Sequence, residues 1–272
     1  MKRIFAAIAL IMSLMQASAA KVDTVEIKTT FLDSPMKVCV VTPQTAESRR
    51  FPTVYLLNGY GGGYRDWLKN QPRIKELADS YGMIIVTPDG RNSWYWDSPV
   101  NEGMQMESFF VNDLVPYIDT HYPTVAVAGK RAISGLSMGG HGALWLAMRH
   151  PDVWGNAGTM SGGVDIRPFP KNWSMAKNLG ATIEENPELW DKMTVINLVP
   201  TLKPGELNLT IDCGIDDFFA GVNQNLHEEL VKAGIAHDYT SRPGRHSWSY
   251  WNNSVLYHLL FFNEAFNKKA DK

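Results

Sequence analysis

Gly135-Leu136-Ser137-Met138-Gly139 stands between an apolar run, Val125 to Ile133, and a helix-forming stretch, Gly140 to Met148. A strand that turns sharply into a helix places one side chain at its apex, here Ser137. Glycines on both sides leave room where strand and helix backbones converge and a Cβ would collide. The Met138 N–H then sits at the positive end of the new helix, where it could hold a developing oxyanion. A strand-serine-helix corner of this kind belongs to an α/β sheet.

Outward from that corner, strands and helices alternate. Val22 to Leu32 and Met36 to Val41 read as an antiparallel pair joined at Asp33-Ser34-Pro35. Thr53 to Leu57 is an apolar strand running into the glycine-rich loop Asn58 to Gly63, and Trp67 to Tyr81 is helical, ended by Gly82. Met83 to Thr87 is a strand, and Glu107 to Thr120 a helix with Pro116 as its kink or break. Beyond the corner come a strand at Ala157 to Met160, a strand at Leu207 to Asp212, a helix at Gly221 to Ala233, a strand at Ala236 to Ser241 and a closing helix from Trp248 to Phe266. The pattern predicts an α/β fold: a mostly parallel central sheet, antiparallel at its N-terminal edge, with helices on both faces. Residues 164–206 lose periodicity and carry five prolines, so they read as an excursion of short helices over one edge of the site.

Met1-Lys2-Arg3, an apolar stretch from Ile4 to Met15 and Gln16-Ala17-Ser18-Ala19-Ala20 form the basic, apolar and small-residue parts of a secretory signal peptide over residues 1–20. The remainder, 21–272, reads as a single exported domain, periplasmic or secreted. Loss of Lys2 and Arg3 takes the net charge from −2 to −4, and no basic stripe suggests nucleic acid. No further stretch is long and apolar enough for membrane insertion. Cys39 falls inside a predicted strand and Cys213 directly after one, and both read as buried small apolar residues rather than a disulfide.

A serine needs a base beside it, itself oriented by a third group. On such a sheet the acid and the histidine follow in that order. Gly214-Ile215-Asp216-Asp217 follows the Leu207 strand and Gly244-Arg245-His246 follows the last one, both at the carboxyl edge where open α/β sheets place their sites. His246 is therefore the candidate base and Asp217 the candidate acid, with Asp216 and Asp165 as rivals. The other histidines lie in or beside predicted helices, or, for His237, at the solvated start of a strand. The glycines of Asn58 to Gly63 let backbone N–H groups turn inward, and Tyr60 N–H is the candidate partner of Met138 N–H in an oxyanion hole. Ser93-Trp94-Tyr95-Trp96 is the densest aromatic cluster, and Trp94, Tyr95 and Trp96 are candidate substrate-binding residues or a loop pinned to the core. Trp248 and Trp251 read as packing. No histidine and carboxylate set has metal-ligand spacing, and no phosphate-binding glycine motif is present.

With those residues in place the chain resembles the esterase-D-like esterases, a group that includes S-formylglutathione hydrolases, tributyrin-type carboxylesterases, feruloyl and acetylxylan esterases and mycolyltransferases. The matching segments are Val54 to Gly62, Ser93-Trp94-Tyr95, Gly135 to Ala143, Cys213 to Asp217 and Gly244-Arg245-His246. The resemblance implies an α/β-hydrolase fold, no cofactor, an acid at the fourth position of a Gly-x-x-Asp turn (Asp217) and hydrolysis of short acyl or carbohydrate-linked esters. Acyl transfer to a sugar, or a non-catalytic carbohydrate-binding role on the same scaffold, are the alternatives. Relatives often begin the oxyanion loop with His-Gly, whereas this chain has Asn58-Gly59. That departure should alter the bonds holding the loop rather than the backbone donor.

Overall fold

Eight strands hydrogen-bond in the order β1-β2-β4-β3-β5-β6-β7-β8. They are β1 (Lys21–Ile27), β2 (Met36–Thr42), β3 (Thr53–Leu57), β4 (Ile84–Pro88), β5 (Arg131–Leu136), β6 (Asn156–Met160), β7 (Asn208–Gly214) and β8 (His237–Arg242). The computed structural model describes residues 20–44 and 49–268, so the segment expected to be a signal peptide, apart from Ala20, lies outside the described residues. β1 and β2 pair antiparallel, as do β2 and β4, and every other pairing is parallel. This is the expected mixed α/β sheet.

The central strands β3, β4 and β5 are buried along their whole length, because helices cover both sheet faces. Successive side chains of β3 point to opposite faces. Tyr55 and Leu57 therefore join a core under α3 (Met106–Phe109), α4 (Val115–His121), α5 (Met138–Arg149) and α8 (Ala220–Lys232), together with the excursion. Val54 and Leu56 join the other core, built against α1 (Asp66–Asn70), α2 (Ile74–Tyr81) and α9 (Trp248–Asn267). Strand order reverses at β3, with β4 on one side and β5 on the other. The crevice at the carboxyl ends of β3 and β5 is thus a topological switch point, where such sheets bind ligands.

Several expected boundaries move for identifiable reasons. The single helix expected over Trp67 to Tyr81 is two, α1 and α2, broken at Gln71-Pro72-Arg73, because proline disfavours helical backbone in the residue before it. Pro116 does not break its helix. It sits in the first turn of α4, where its missing N–H costs nothing, and the irregularity is a π turn just before it, Phe110–Leu114. Strand β1 stops at Ile27 rather than Leu32, and β5 begins at Arg131, after a 3-10 turn at Ala128–Lys130. Residues 164–206 do form short helical pieces, α6 (Met175–Leu179), α7 (Pro187–Lys192) and a 3-10 segment, pinned by the buried Met175 and Trp190.

Cys39 and Cys213 are both buried and free. They sit on β2 and β7, five strand positions apart, or roughly 24 Å at the usual spacing.

Candidate active site

Ser137 links β5 to α5 with φ 57° and ψ −119°, a left-handed conformation that a non-glycine residue keeps only when its surroundings impose it. They do so here by close approach: a Cβ on Gly139 would stand 2.6 Å from Asn58 O and 2.7 Å from Leu57 O. The corner is further tied by Ser137 N–H to Met160 O at 3.0 Å. Met138 opens α5, so its N–H is among the first four of the helix, which have no acceptor within it.

The three side chains predicted to meet do so. Ser137 Oγ and His246 Nε2 are 2.9 Å apart. His246 Nδ1 faces both oxygens of Asp217, at 3.0 and 2.9 Å. Asp217 is 6 % exposed and also accepts the Phe219 N–H, which fixes its carboxylate against the start of α8. The rival acids are disposed of by their partners. Asp216 is exposed, and Asp165 is taken by the Arg167 guanidinium through both of its oxygens. Asp212, inside β7, accepts from Tyr250 and Arg242. Burial pushes its carboxyl up, against the bonds from Tyr250, Arg242 and Ser254.

The glycine-rich loop after β3 lies across the crevice from this corner. Asn58 is buried and holds it from three directions. Its Nδ2 donates to Gly59 O at 2.9 Å, its Oδ1 accepts the Gly90 N–H at 2.8 Å, and its carbonyl accepts the Tyr95 hydroxyl at 3.0 Å. Asn58, at the position where the resembling family often has histidine, thus makes three bonds that hold the loop. Among the described residues no acceptor pairs with the Tyr60 N–H.

The cleft over Ser137 measures about 440 Å³ and is walled by Tyr60, Trp173, Phe218, Trp248 and Trp251, with Asp66 also in its lining. Trp94, Tyr95 and Trp96 are not part of it, which corrects the expectation that they bind substrate. All three are buried, at 1 %, 0 % and 1 % exposure. Positive φ at Trp94 (58°) and Tyr95 (63°) turns this segment downward. Trp94 and Trp96 then stack at 5.7 Å with His141 edge-on to both, while Gly142 leaves the space Tyr95 fills. Burial keeps His141 neutral, pushed down to about 3, with only the Gly163 carbonyl opposing that shift.

Apart from Tyr60, the walls come from residues the sequence reading passed over or took for packing. Phe218 directly follows the acid, is 51 % exposed and lies 4.2 Å from the His246 ring by centroids. Trp251 meets the same ring edge-on at 4.8 Å, and Trp173 of the excursion stacks on Phe218 at 5.8 Å. His237, expected to be solvated, instead pairs with His227 at 2.8 Å. His258 is buried against Ser134 Oγ, and burial pushes it down to about 3 as well.

A family model described as "Putative esterase" matches residues 29–262. The chain belongs to that esterase family. An acetyl esterase of Caldicellulosiruptor saccharolyticus is 30 % identical over 220 residues, covering 77 % of this chain and 82 % of that protein. Among solved structures, a ferulic acid esterase superposes with a TM-score of 0.79 at 27 % identity, over 91 % of this esterase and 99 % of that chain. An S-formylglutathione hydrolase from Agrobacterium tumefaciens gives a TM-score of 0.78 at 23 % identity, covering 93 % and 98 %, a likeness of fold. The family and the fold agree: this esterase is an α/β hydrolase.

Proposed function

We propose that this esterase is an exported serine carboxylesterase that hydrolyses short-chain acyl esters or acetyl and feruloyl groups on carbohydrate through an acyl-enzyme. The observation that carries the proposal is the unbroken chain of hydrogen bonds from Ser137 through His246 to Asp217. His246 Nε2 takes the Ser137 proton as Oγ bonds to the ester carbonyl carbon, and the carbonyl electron pair moves onto oxygen. Tyr60 and Met138 N–H receive that oxyanion, each worth roughly 3 kcal/mol of transition-state stabilisation. Collapse of the adduct expels the alcohol oxygen, which takes the proton from His246. Water then repeats the sequence on the acyl-enzyme and releases the acid. Asp217 holds the imidazole with Nδ1 protonated, so that Nε2 is free to act as base.

The cleft supports this substrate range, since its aromatic walls suit an aromatic acid or a sugar face and Ser137 is reachable by a short acyl group. The names of the acetyl esterase and the ferulic acid esterase point the same way. Export rests on the residue pattern of 1–20. Ser137→Ala should reduce hydrolysis of p-nitrophenyl acetate by at least about 10³-fold and abolish fluorophosphonate labelling, with thermal unfolding unchanged. Retained turnover in that variant ends the proposal.

A further inference from the structure

The oxyanion loop is stitched to the excursion by a closed ring of hydrogen bonds. Tyr60 and Ser174 share one between their hydroxyls at 2.8 Å. Next to Tyr60, the Gly61 N–H donates to Asn92 Oδ1 at 2.7 Å. Asn92 O accepts from Asn178 Nδ2 at 2.6 Å, and Asn178 N–H returns to Ser174 O at 3.0 Å. The ring therefore runs Tyr60, Gly61, Asn92, Asn178, Ser174 and back to Tyr60. It has anchors at two points. Asn178 is buried and its carbonyl accepts the Ser98 hydroxyl at 2.7 Å. The Trp94 indole donates to Trp173 O at 3.2 Å, beside the ring.

Trp173 and Ser174 both have left-handed backbone, φ 50° and 56°, and neither is glycine. Such a pair persists only where neighbours over-determine it. Here the Trp94 indole and the Tyr60 hydroxyl grip it from either side. The same two-residue kink aims the Trp173 ring into the cleft and the Ser174 hydroxyl at Tyr60.

We infer that the Tyr60 side chain, with Ser174 and Asn92, is a positioning device that sets the orientation of the Tyr60 peptide N–H for the oxyanion. This inference rests on the esterase mechanism proposed above. The peptide that carries the Tyr60 N–H is held at its carbonyl, where Gly59 O accepts from Asn58 Nδ2 and from Gly62 N–H, while the glycines at 59, 61, 62 and 63 leave the backbone on either side soft. The ring adds a second restraint from outside the loop, at the Tyr60 side chain and the Gly61 N–H. Because an oxyanion exists only in the transition state and the tetrahedral adduct, loosening the ring should lower kcat and leave KM nearly unchanged.

Tyr60→Phe removes only the hydroxyl. Its expected effect is about a tenfold fall in kcat, below the 10²–10³ that loss of a whole oxyanion donor costs. A trifluoromethyl ketone, whose adduct with serine carries the oxyanion, should bind more weakly by the same factor. The fall should be equal for p-nitrophenyl acetate and for a bulky aryl ester, since both make the same oxyanion. Ser174→Ala should match Tyr60→Phe, and the double variant should be no worse than either single one. A kcat within twofold of the parent overturns the inference, as do additive losses in the double variant. A loss confined to the bulky ester also overturns it, because the ring then places only the Trp173 wall. Ser137→Ala run alongside separates the two failures: if it too retains turnover, the esterase mechanism has failed instead.

Discussion

Two groups of aromatic side chains surround the serine corner, and they do opposite work. Trp94, Tyr95 and Trp96 lie in the core, stacked around His141 with no exposed ring. Trp173, Phe218, Trp248 and Trp251 stand around the cleft, and Phe218 keeps half its surface open. Both groups sit on loops at the carboxyl edge of the sheet, so position along the chain does not separate them. Backbone handedness and available volume do. The left-handed turn at Trp94-Tyr95 points into space that Gly90 and Gly142 keep free, since a Cβ on either would stand 2.0 or 2.2 Å from Tyr95. The kink at Trp173-Ser174 has no such receptacle and leaves its ring at the mouth.

The division breaks first, and hardest, at Trp96. Trp96→Ala should lower unfolding free energy by about 3–5 kcal/mol in urea titration, while the folded fraction keeps its kcat. A stable variant with altered ester preference would move Trp96 into the substrate wall. His141 sharpens the same contrast through pH. Its folded pKa, about 3, lies below its value in the unfolded chain, so the neutral form stabilises the fold above about pH 6.5. That contribution drains away on acidification, by roughly 1.4 kcal/mol per pH unit, until pH approaches 3. His141→Gln should therefore flatten the fall of stability between pH 5.5 and 4.5 relative to the parent, and an unchanged slope would contradict the buried neutral imidazole. The smallest effect belongs to the rim. Phe218→Ala should cost about 3–10-fold in kcat/KM for an aryl ester and leave the urea midpoint nearly unmoved. Equal losses on acetate would show that Phe218 acts through His246 rather than by touching the acyl group.

The candidate site was legible because each of its parts has a local signature. A serine between glycines at a strand-helix junction and a histidine between glycine and helix declare themselves within five residues, whereas the choice of Asp217 over Asp216 was sharpened by the family resemblance. The sheet was legible for the same reason, since fully buried strands such as β3 and β4 are continuous apolar runs. What escaped is non-local. Nothing around Trp173 distinguishes a cleft wall from an irregular loop, because its role is set by Trp94 and Tyr60, 79 and 113 positions away. Phe218 could have been suspected, as the neighbour of an acid cannot itself be far from the base. Pro72 was a visible reason to divide the helix at α1 and α2. The His227 and His237 pair needed knowledge that α8 lies beside β8.

The two thiols have a practical corollary. Cys39 and Cys213 are each 1 % exposed, so a reagent reaches neither sulfur, and burial also pushes the Cys213 thiol up. Maleimides and iodoacetamide should leave the native molecule untouched. A single cysteine introduced at an exposed site such as Val127 would then report alone, without any need to strip the natural pair first.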